Sequence, residues 1–247
     1  MALTDEVVID RRFRGPPESG QGGYSCGLVA ERIDADSATV TLRSPPPLDR
    51  QLQIERDSDV VKLLDGEILV AEGSADPLDL DVPDPVSLDA ARHASEQPFW
   101  ADLIHPFPGC FGCGLERNQQ EAVAIWMGDD DDSGLMAGIW TPSPEFAGDD
   151  GAVTKLVTWA ALDCPTATGA NLPLDGVSVL GRLSCRAIAP IEPGEPHTVV
   201  AWPISDDGRK HLGGCAIHSA DGRLCACSAG LWIELRDPST MGAKTRS

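Results

Sequence analysis

A seven-residue pattern occurs twice in this chain. Arg43-Ser-Pro-Pro-Pro47-Leu48-Asp49 and Arg186-Ala-Ile-Ala-Pro190-Ile191-Glu192 both read Arg-x-x-x-Pro-aliphatic-acid. Each copy follows a window with helical features and precedes strand-like runs. Each half then reaches an Asp-Gly pair, Asp65-Gly66 or Asp221-Gly222, with an apolar run behind it. The shared order of helix, motif, hairpin and strand points to a duplicated unit. Each unit is one helix followed by antiparallel strands on short connections, an α+β pattern.

Strand signals dominate. Short apolar or alternating runs at 39–43, 51–55, 59–64 and 67–72 belong to the first unit, and runs at 121–127, 135–140, 177–188, 197–204, 211–218 and 223–235 to the second. The Asp-Gly pairs suit tight hairpins, because glycine accepts the positive φ they need. The clearest helical window is 152–164, where Val153, Leu156, Val157, Ala160 and Ala161 recur at helical spacing. Asp149 and Asp150 precede it, at the positive end of a helix dipole, and Pro165 ends or kinks it. A second, weaker window covers 23–33. The acidic, proline-rich segment 76–87 reads as a linker, followed by a short helix from Leu88 to about Ser95. The organisation expected is a first half at 1–75, a linker region at 76–104, a second half at 105–236 and a tail at 237–247.

Charge narrows the function classes. The 247 residues carry a formal net charge of −20, and the only lysines are Lys62, Lys155, Lys210 and Lys244. Such a surface argues against nucleic-acid binding, which needs clustered cations, and against docking on an anionic membrane. No apolar run approaches the roughly 18 to 20 residues of a bilayer span. The N-terminus lacks the basic and apolar stretches of a signal peptide, so a cytoplasmic location is expected. The carboxylate run Asp129–Asp132 lacks the alternating ligand spacing of a calcium loop and reads as a solvated hairpin turn. The eight cysteines lie largely in apolar runs and read as reduced core residues. Cys110-Phe-Gly-Cys113 offers two thiols where zinc takes four ligands, and no second Cys-x-x-Cys exists, so it reads as a tight glycine turn with no metal assigned. His105 reads as a hydrogen-bonded loop residue.

Several segments in order resemble one family. Pro106-Phe-Pro-Gly-Cys110-Phe-Gly-Cys113-Gly is similar to the Cys-Phe-Gly-Cys-Gly segment of thioesterase-superfamily hotdog proteins. The window 153–163 resembles their central helix, and Gly208-Arg-Lys-His211 with Asp221-Gly-Arg-Leu-Cys-Ala226 resembles their closing hairpin. The likeness spans residues 105–235, and more loosely 6–75 through Gly22-Gly23-Tyr24 and Pro45–Pro47. It implies a double hotdog, each half a central helix wrapped by an antiparallel sheet. It further implies hydrolysis of an acyl-CoA or other acyl thioester, with water as the sole co-reactant and no cofactor.

In that family a central-helix carboxylate acts as base or nucleophile, and N–H groups at a helix start, often in His-Gly-Gly, hold the carbonyl oxygen. Here Thr154 stands nine residues before Asp163, and Lys155-Leu156 occupies the Gly-Gly place. The donors and the acid of one helix lie about 12 Å apart, so one carbonyl cannot touch both. The resemblance therefore implies a composite site across two antiparallel central helices. One half keeps the acid, Asp163, and the other keeps Gln21-Gly22-Gly23-Tyr24. A single site is expected, with Asp163 catalytic, the Gly23 and Tyr24 N–H groups as oxyanion donors, and Gly22, Thr154, Thr166, Arg182 and Arg209 as substrate contacts. Either Arg182, Arg186, Arg209 and Lys210, or Arg11, Arg12 and Arg14, would pair with carrier phosphates.

Other readings stay open. Asp163 also suits a helix-terminal residue bonding the backbone near Pro165, and Gly22-Gly23 also suits a plain turn. A non-catalytic acyl-binding hotdog protein accommodates the departure at Thr154-Lys155-Leu156. A hydratase of this fold would want a histidine in a helical window, and neither window has one. A fused pair can stand alone or form a homodimer of double hotdogs.

Overall fold

The computed structural model describes residues 5–245. Among these residues eleven strands form one antiparallel sheet. The first half supplies β1 (Asp5–Val8), β2 (Ser37–Leu42), β3 (Gln51–Asp57), β4 (Val60–Asp65) and β5 (Ile68–Ala75). The second supplies β6 (Gly128–Asp130), β7 (Leu135–Trp140), β8 (Ser178–Ala187), β9 (His197–Asp207), β10 (Lys210–Ser219) and β11 (Leu224–Glu234). The spatial order is β1-β3-β4-β5-β2-β8-β11-β10-β9-β7-β6. Read outward from the β2–β8 seam, the two halves are the same: 2-5-4-3-1 against 8-11-10-9-7, with β6 added at one edge. At the seam Ser37 pairs with Arg186 and Thr41 with Arg182, and the Thr39 and Ser184 hydroxyls lie 2.7 Å apart.

The repeated Arg-x-x-x-Pro motif has a structural use common to both halves. It forms the loop leaving β2 in one and β8 in the other. In the first, the Pro46 carbonyl accepts from the Gly20 N–H at 2.8 Å, just ahead of the central helix α1 (Gly22–Ala30). In the second, the Ile191 carbonyl accepts from the Val153 N–H at 2.9 Å, just ahead of the central helix α3 (Lys155–Ala161). The motif thus fixes where the chain enters the helix. Both Asp-Gly hairpins form, with Gly66 at φ 60° and Gly222 at φ 84°.

Helix α1 is buried from Gly23 through Ala30. A helix wet on no side has no reason to be amphipathic, which explains its weak periodicity in the sequence. It crosses α3 in antiparallel fashion. A Cβ on Gly23 would lie 2.4 Å from the Trp159 carbonyl oxygen, and one on Gly27 would lie 3.2 Å from the Leu156 Cα. Only glycine lets the two backbones approach this closely.

The helical window 152–164 becomes two helices. Thr154 caps α3, and a second short helix, α4 (Cys164–Gly169), carries Pro165 in its first turn. Proline lacks the N–H that would continue the ladder, so it kinks the helix and starts a new turn. The carbonyls freed at the break are taken up by side chains. Ser228 Oγ donates to the Leu162 oxygen at 2.9 Å, and Thr166 Oγ1 donates to the Asp163 oxygen at 2.6 Å while accepting from Trp232 Nε1 at 2.8 Å.

Two further expectations are modified. The apolar run 121–127 is not a strand. Residues 122–125 are buried coil, with Ala124 at φ 44° and the Ala124 and Ile125 N–H groups donating to the carbonyls of Phe111 and Gly112. Burial on every side, not pairing, explains its hydrophobicity. The acidic segment 76–87 lies along the outer face of the sheet. Leu78, Leu80, Val82 and Val86 pack against Val200, Ala216 and Cys227. It leads into α2 (Leu88–Glu96), whose Ser95 Oγ accepts from the Ile139 N–H at 2.9 Å. Among the described residues no helix is long and apolar enough to cross a membrane.

His197 and His218 are buried at the β9 and β10 ends, and burial lowers both imidazoles below their ordinary value near 6.5. A base lowered on folding stabilises the fold fully above its unfolded pKa, and that contribution is lost as pH falls below about 6.5. Between about pH 7.5 and about 5.5 the wild type should therefore lose melting temperature relative to a His197→Gln/His218→Gln variant measured at each pH. A difference between the two proteins that stays constant over that interval would assign no acid sensitivity to these histidines.

Candidate active site

Asp163 sits at the break between α3 and α4, 2 % exposed. Its Oδ2 accepts from the Gly23 N–H at 2.7 Å and from Gln21 Nε2 at 2.6 Å. Gln21 is itself buried at the start of α1. Its Oε1 caps that helix by accepting from the Tyr24 N–H at 2.6 Å, and its Nε2 also donates to the Ala160 carbonyl at 3.1 Å. One amide side chain thus ties the beginning of α1 to the end of α3. The other carboxylate oxygen, Oδ1, is buried without a hydrogen-bond partner. Desolvation pushes the Asp163 carboxyl up to about 8, the Gly23 N–H pulls it back down, and negative charge at Cys110 adds to the rise.

Asp163 lines a cavity of about 500 Å³. Gly22, Leu180, Trp232 and Ile233 contribute to its walls, as do Trp100 and His105 from the loop after α2. The Gly22 N–H opens α1 and makes no hydrogen bond among the described residues. A Cβ at Gly22 would lie 3.2 Å from Asp163 Oδ2, so this free N–H and the carboxylate are neighbours. His105 Nδ1 accepts from the Phe107 N–H at 3.0 Å, as a loop histidine would, but its Nε2 is buried and unpartnered. Cys110, Cys113 and Cys164 also reach the cavity, with their sulfurs all within 4.8 Å of one another. The Cys110 thiol is drawn well below its ordinary value by hydrogen bonds from the Cys113 and Cys164 thiols, with the Gly112 N–H adding to the effect.

The structure brings together Asp163, Gly22, Gly23 and Tyr24 from the two halves. The Gly23 and Tyr24 N–H groups, expected as oxyanion donors, are both occupied, by Asp163 and Gln21. The Tyr24 ring packs away from the cavity, stacked on Phe13 with centroids 4.0 Å apart, and burial pushes its hydroxyl up to about 12. Four expected substrate contacts lie off the cavity wall. Thr154 is the cap of α3, at the helix end remote from Asp163. Thr166 is buried and spends its hydroxyl on the helix break. Arg182 lies at the seam, its Nε donating to Thr41 Oγ1 at 3.3 Å. Arg209 donates to the Glu234 carbonyl at 2.7 Å. Gln21 was missed as a carboxylate partner, since nothing local links it to a residue 142 positions away. Cys164 was missed as a third thiol for the same reason.

No family model matches the chain, and no curated protein matches it in sequence. Solved structures do match it along its length. A candidate thioesterase II from Thermobifida fusca aligns with TM-score 0.59 at 17 % identity, covering 94 % of this chain and 92 % of that one. A protein of unknown function with a hot dog fold from Alicyclobacillus acidocaldarius aligns with TM-score 0.56 at 13 % identity, covering 95 % and 94 %. An acyl-CoA thioesterase II from Mycobacterium marinum aligns with TM-score 0.58 at 10 % identity, covering 94 % and 93 %. The chain is a double hotdog.

A double hotdog has two pseudo-equivalent places where one central helix begins beside the end of the other. The second lies where α3 begins and α1 ends. There Lys155 stands in place of Gly22, directly after the helix cap, and its Nζ donates to the carbonyls of Ile33 and Ala35, both at 3.2 Å. Glu31, at the matching helix end, joins Lys155 in lining a surface hollow. Where the first place has backbone N–H groups beside Asp163, an ammonium group here binds carbonyls just past the end of α1.

Substitution at the crossing should separate packing from charge. Gly23→Ala drives a methyl into the Trp159 carbonyl and the Asp163 Cβ and should cost about 1–3 kcal/mol or more in urea unfolding. Asp163→Asn keeps an acceptor for the Gly23 N–H and removes a buried ionisable group, so its unfolding midpoint at neutral pH should rise. A lowered midpoint for Asp163→Asn would show that the carboxylate is a net structural asset.

Proposed function

We propose that this double hotdog hydrolyses acyl thioesters, with acyl-CoA as the substrate class. The observation that carries the reading is Asp163. Its carboxylate is buried on a cavity wall, fixed through one oxygen by the Gly23 N–H and Gln21, with the other oxygen unpartnered. Fixing one oxygen orients the carboxylate, and the second is left to take a proton from water or to attack the thioester carbon. The neighbouring Gly22 N–H, at the positive end of α1, is the donor available to the developing oxyanion, in place of the occupied Gly23 and Tyr24 groups. The apolar part of the cavity suits an acyl chain. The thioesterase descriptions of the Thermobifida and Mycobacterium proteins agree with this reading.

Carrier phosphates need cations on a strongly acidic chain. The cavity wall holds Arg43, already paired with Glu72 at 2.7 Å. Beside the cavity the Arg14 guanidinium packs against Gly109, and Arg117 Nη2 donates to the Arg12 carbonyl at 2.9 Å with its Nε buried and unpartnered. Arg12, Arg14 and Arg117 are the cations we assign to the CoA phosphates. Arg11 is engaged elsewhere, by Glu18 and Asp49.

CoA release from a panel of short, long and aromatic acyl-CoAs, followed by chromatography, tests the reading. Asp163→Asn should lower kcat by about 10²–10⁴-fold with the fold intact. Turnover unchanged by that substitution would remove Asp163 from the chemistry. A ligand retained on every chain length without turnover would establish a binding protein instead. Arg14→Ala and Arg117→Ala should raise KM for acyl-CoA and leave KM for the matching acyl-pantetheine unchanged, because the latter lacks the nucleotide phosphates.

A further inference from the structure

Cys110, Cys113 and Cys164 come from two separate segments. The first two lie on the loop that enters the second half, and the third follows Asp163 at the start of α4. Their sulfurs lie within 4.8 Å of one another, and Cys110 Sγ is 3.8 Å from Cys164 Sγ. Thiolates around a tetrahedral zinc, at about 2.3 Å each, stand roughly 3.8 Å apart, and trigonal copper(I) gives nearly the same spacing. Three apolar core cysteines would have no need of this arrangement. We infer that Cys110, Cys113 and Cys164 form a three-thiolate site for a soft d¹⁰ cation, Zn²⁺ or Cu⁺, on the wall of the cavity.

The loop is shaped for it. A Cβ at Gly112 would fall 2.5 Å from Cys164 Sγ and 2.9 Å from Gln21 Nε2, so glycine is what lets the Cys-x-x-Cys turn close on the third thiol. The Gly112 N–H points at Cys110 Sγ at 3.4 Å, and such N–H donors support negative sulfur at metal sites. His105 is not the fourth ligand. Its Nδ1 accepts from the Phe107 N–H, which leaves the ring proton on Nε2, and a protonated nitrogen has no lone pair for a metal. The cation would therefore sit in three-coordinate geometry as Cu⁺, or as Zn²⁺ with its remaining position turned to the cavity for a small ligand.

Cation uptake by these thiols can be read without any turnover. The full chain, stripped with a chelator and kept under a non-thiol reductant without oxygen, is titrated with Co²⁺ as a reporter for zinc and, in a second arm, with Cu⁺. A sulfur-to-cobalt charge-transfer band saturating at one equivalent and bleached by Zn²⁺ would support the zinc form. Stoichiometric Cu⁺ uptake against a competing chelator would support the copper form. Cys110→Ser, Cys113→Ser and Cys164→Ser should each lose the signal, while Cys26→Ser, elsewhere in the core, should keep it. Should a serine variant fail to fold, mass spectrometry of the wild type decides: added cation must slow alkylation of these three thiols and leave the other five unchanged. Uptake of neither cation at one equivalent, or uptake indifferent to Cys164, would overturn the inference.

Discussion

The Gly23 N–H meets Asp163 Oδ2 at 2.7 Å across the two central helices, and much else follows from that contact. It requires α1 and α3 to approach until a single methyl group would collide with the Trp159 carbonyl. It requires α3 to stop at Leu162, so that the carboxylate turns inward and does not continue along the helix. Pro165 enforces the stop, and Ser228, Thr166 and Trp232 absorb the carbonyls that the stop exposes. A buried carboxylate is expensive, and the surrounding N–H groups offset only part of its desolvation, as its raised pKa records.

How legible was this in the sequence? The duplication was, because it is written in local chemistry: Asp-Gly hairpins and a proline loop that places the helix entrance work the same way in both halves. The position of Asp163 was legible through the helical window that ends on it. Its partners were not equally so. Gln21 stood beside Gly22-Gly23 in the motif, yet its bond to Asp163 exists only because the halves fold onto one another. The Gly23 and Tyr24 N–H groups, expected to be free, are taken by Asp163 and Gln21, and no local pattern tells that Gln21 caps Tyr24. The threonines and arginines expected as contacts lie off the cavity wall for a similar reason. Small polar and cationic residues serve helix caps, seams and hairpins at least as readily as ligands.

Hydrophobicity misled where burial came without pairing. Residues 122–125 are as apolar as a strand but lie as coil beneath the Cys110–Gly114 turn, and the Ala124 and Ile125 N–H groups are spent on that turn. The segment 76–87 carried the opposite disguise. Its aspartates and prolines suggested an idle tether, yet every other residue from Leu78 to Val82 is apolar, with the alternation of a chain lying on a surface.

Lys155 and Gly22 occupy equivalent places in the two halves and make opposite demands. In a pair of identical subunits one residue would have to serve both positions, since every substitution would appear twice. A glycine would open both ends of the helix pair and a lysine would close both. Joining the halves in one chain removes that symmetry. One end can be shaped for chemistry while the other is sealed to hold the helices in register, and each can change without altering its counterpart.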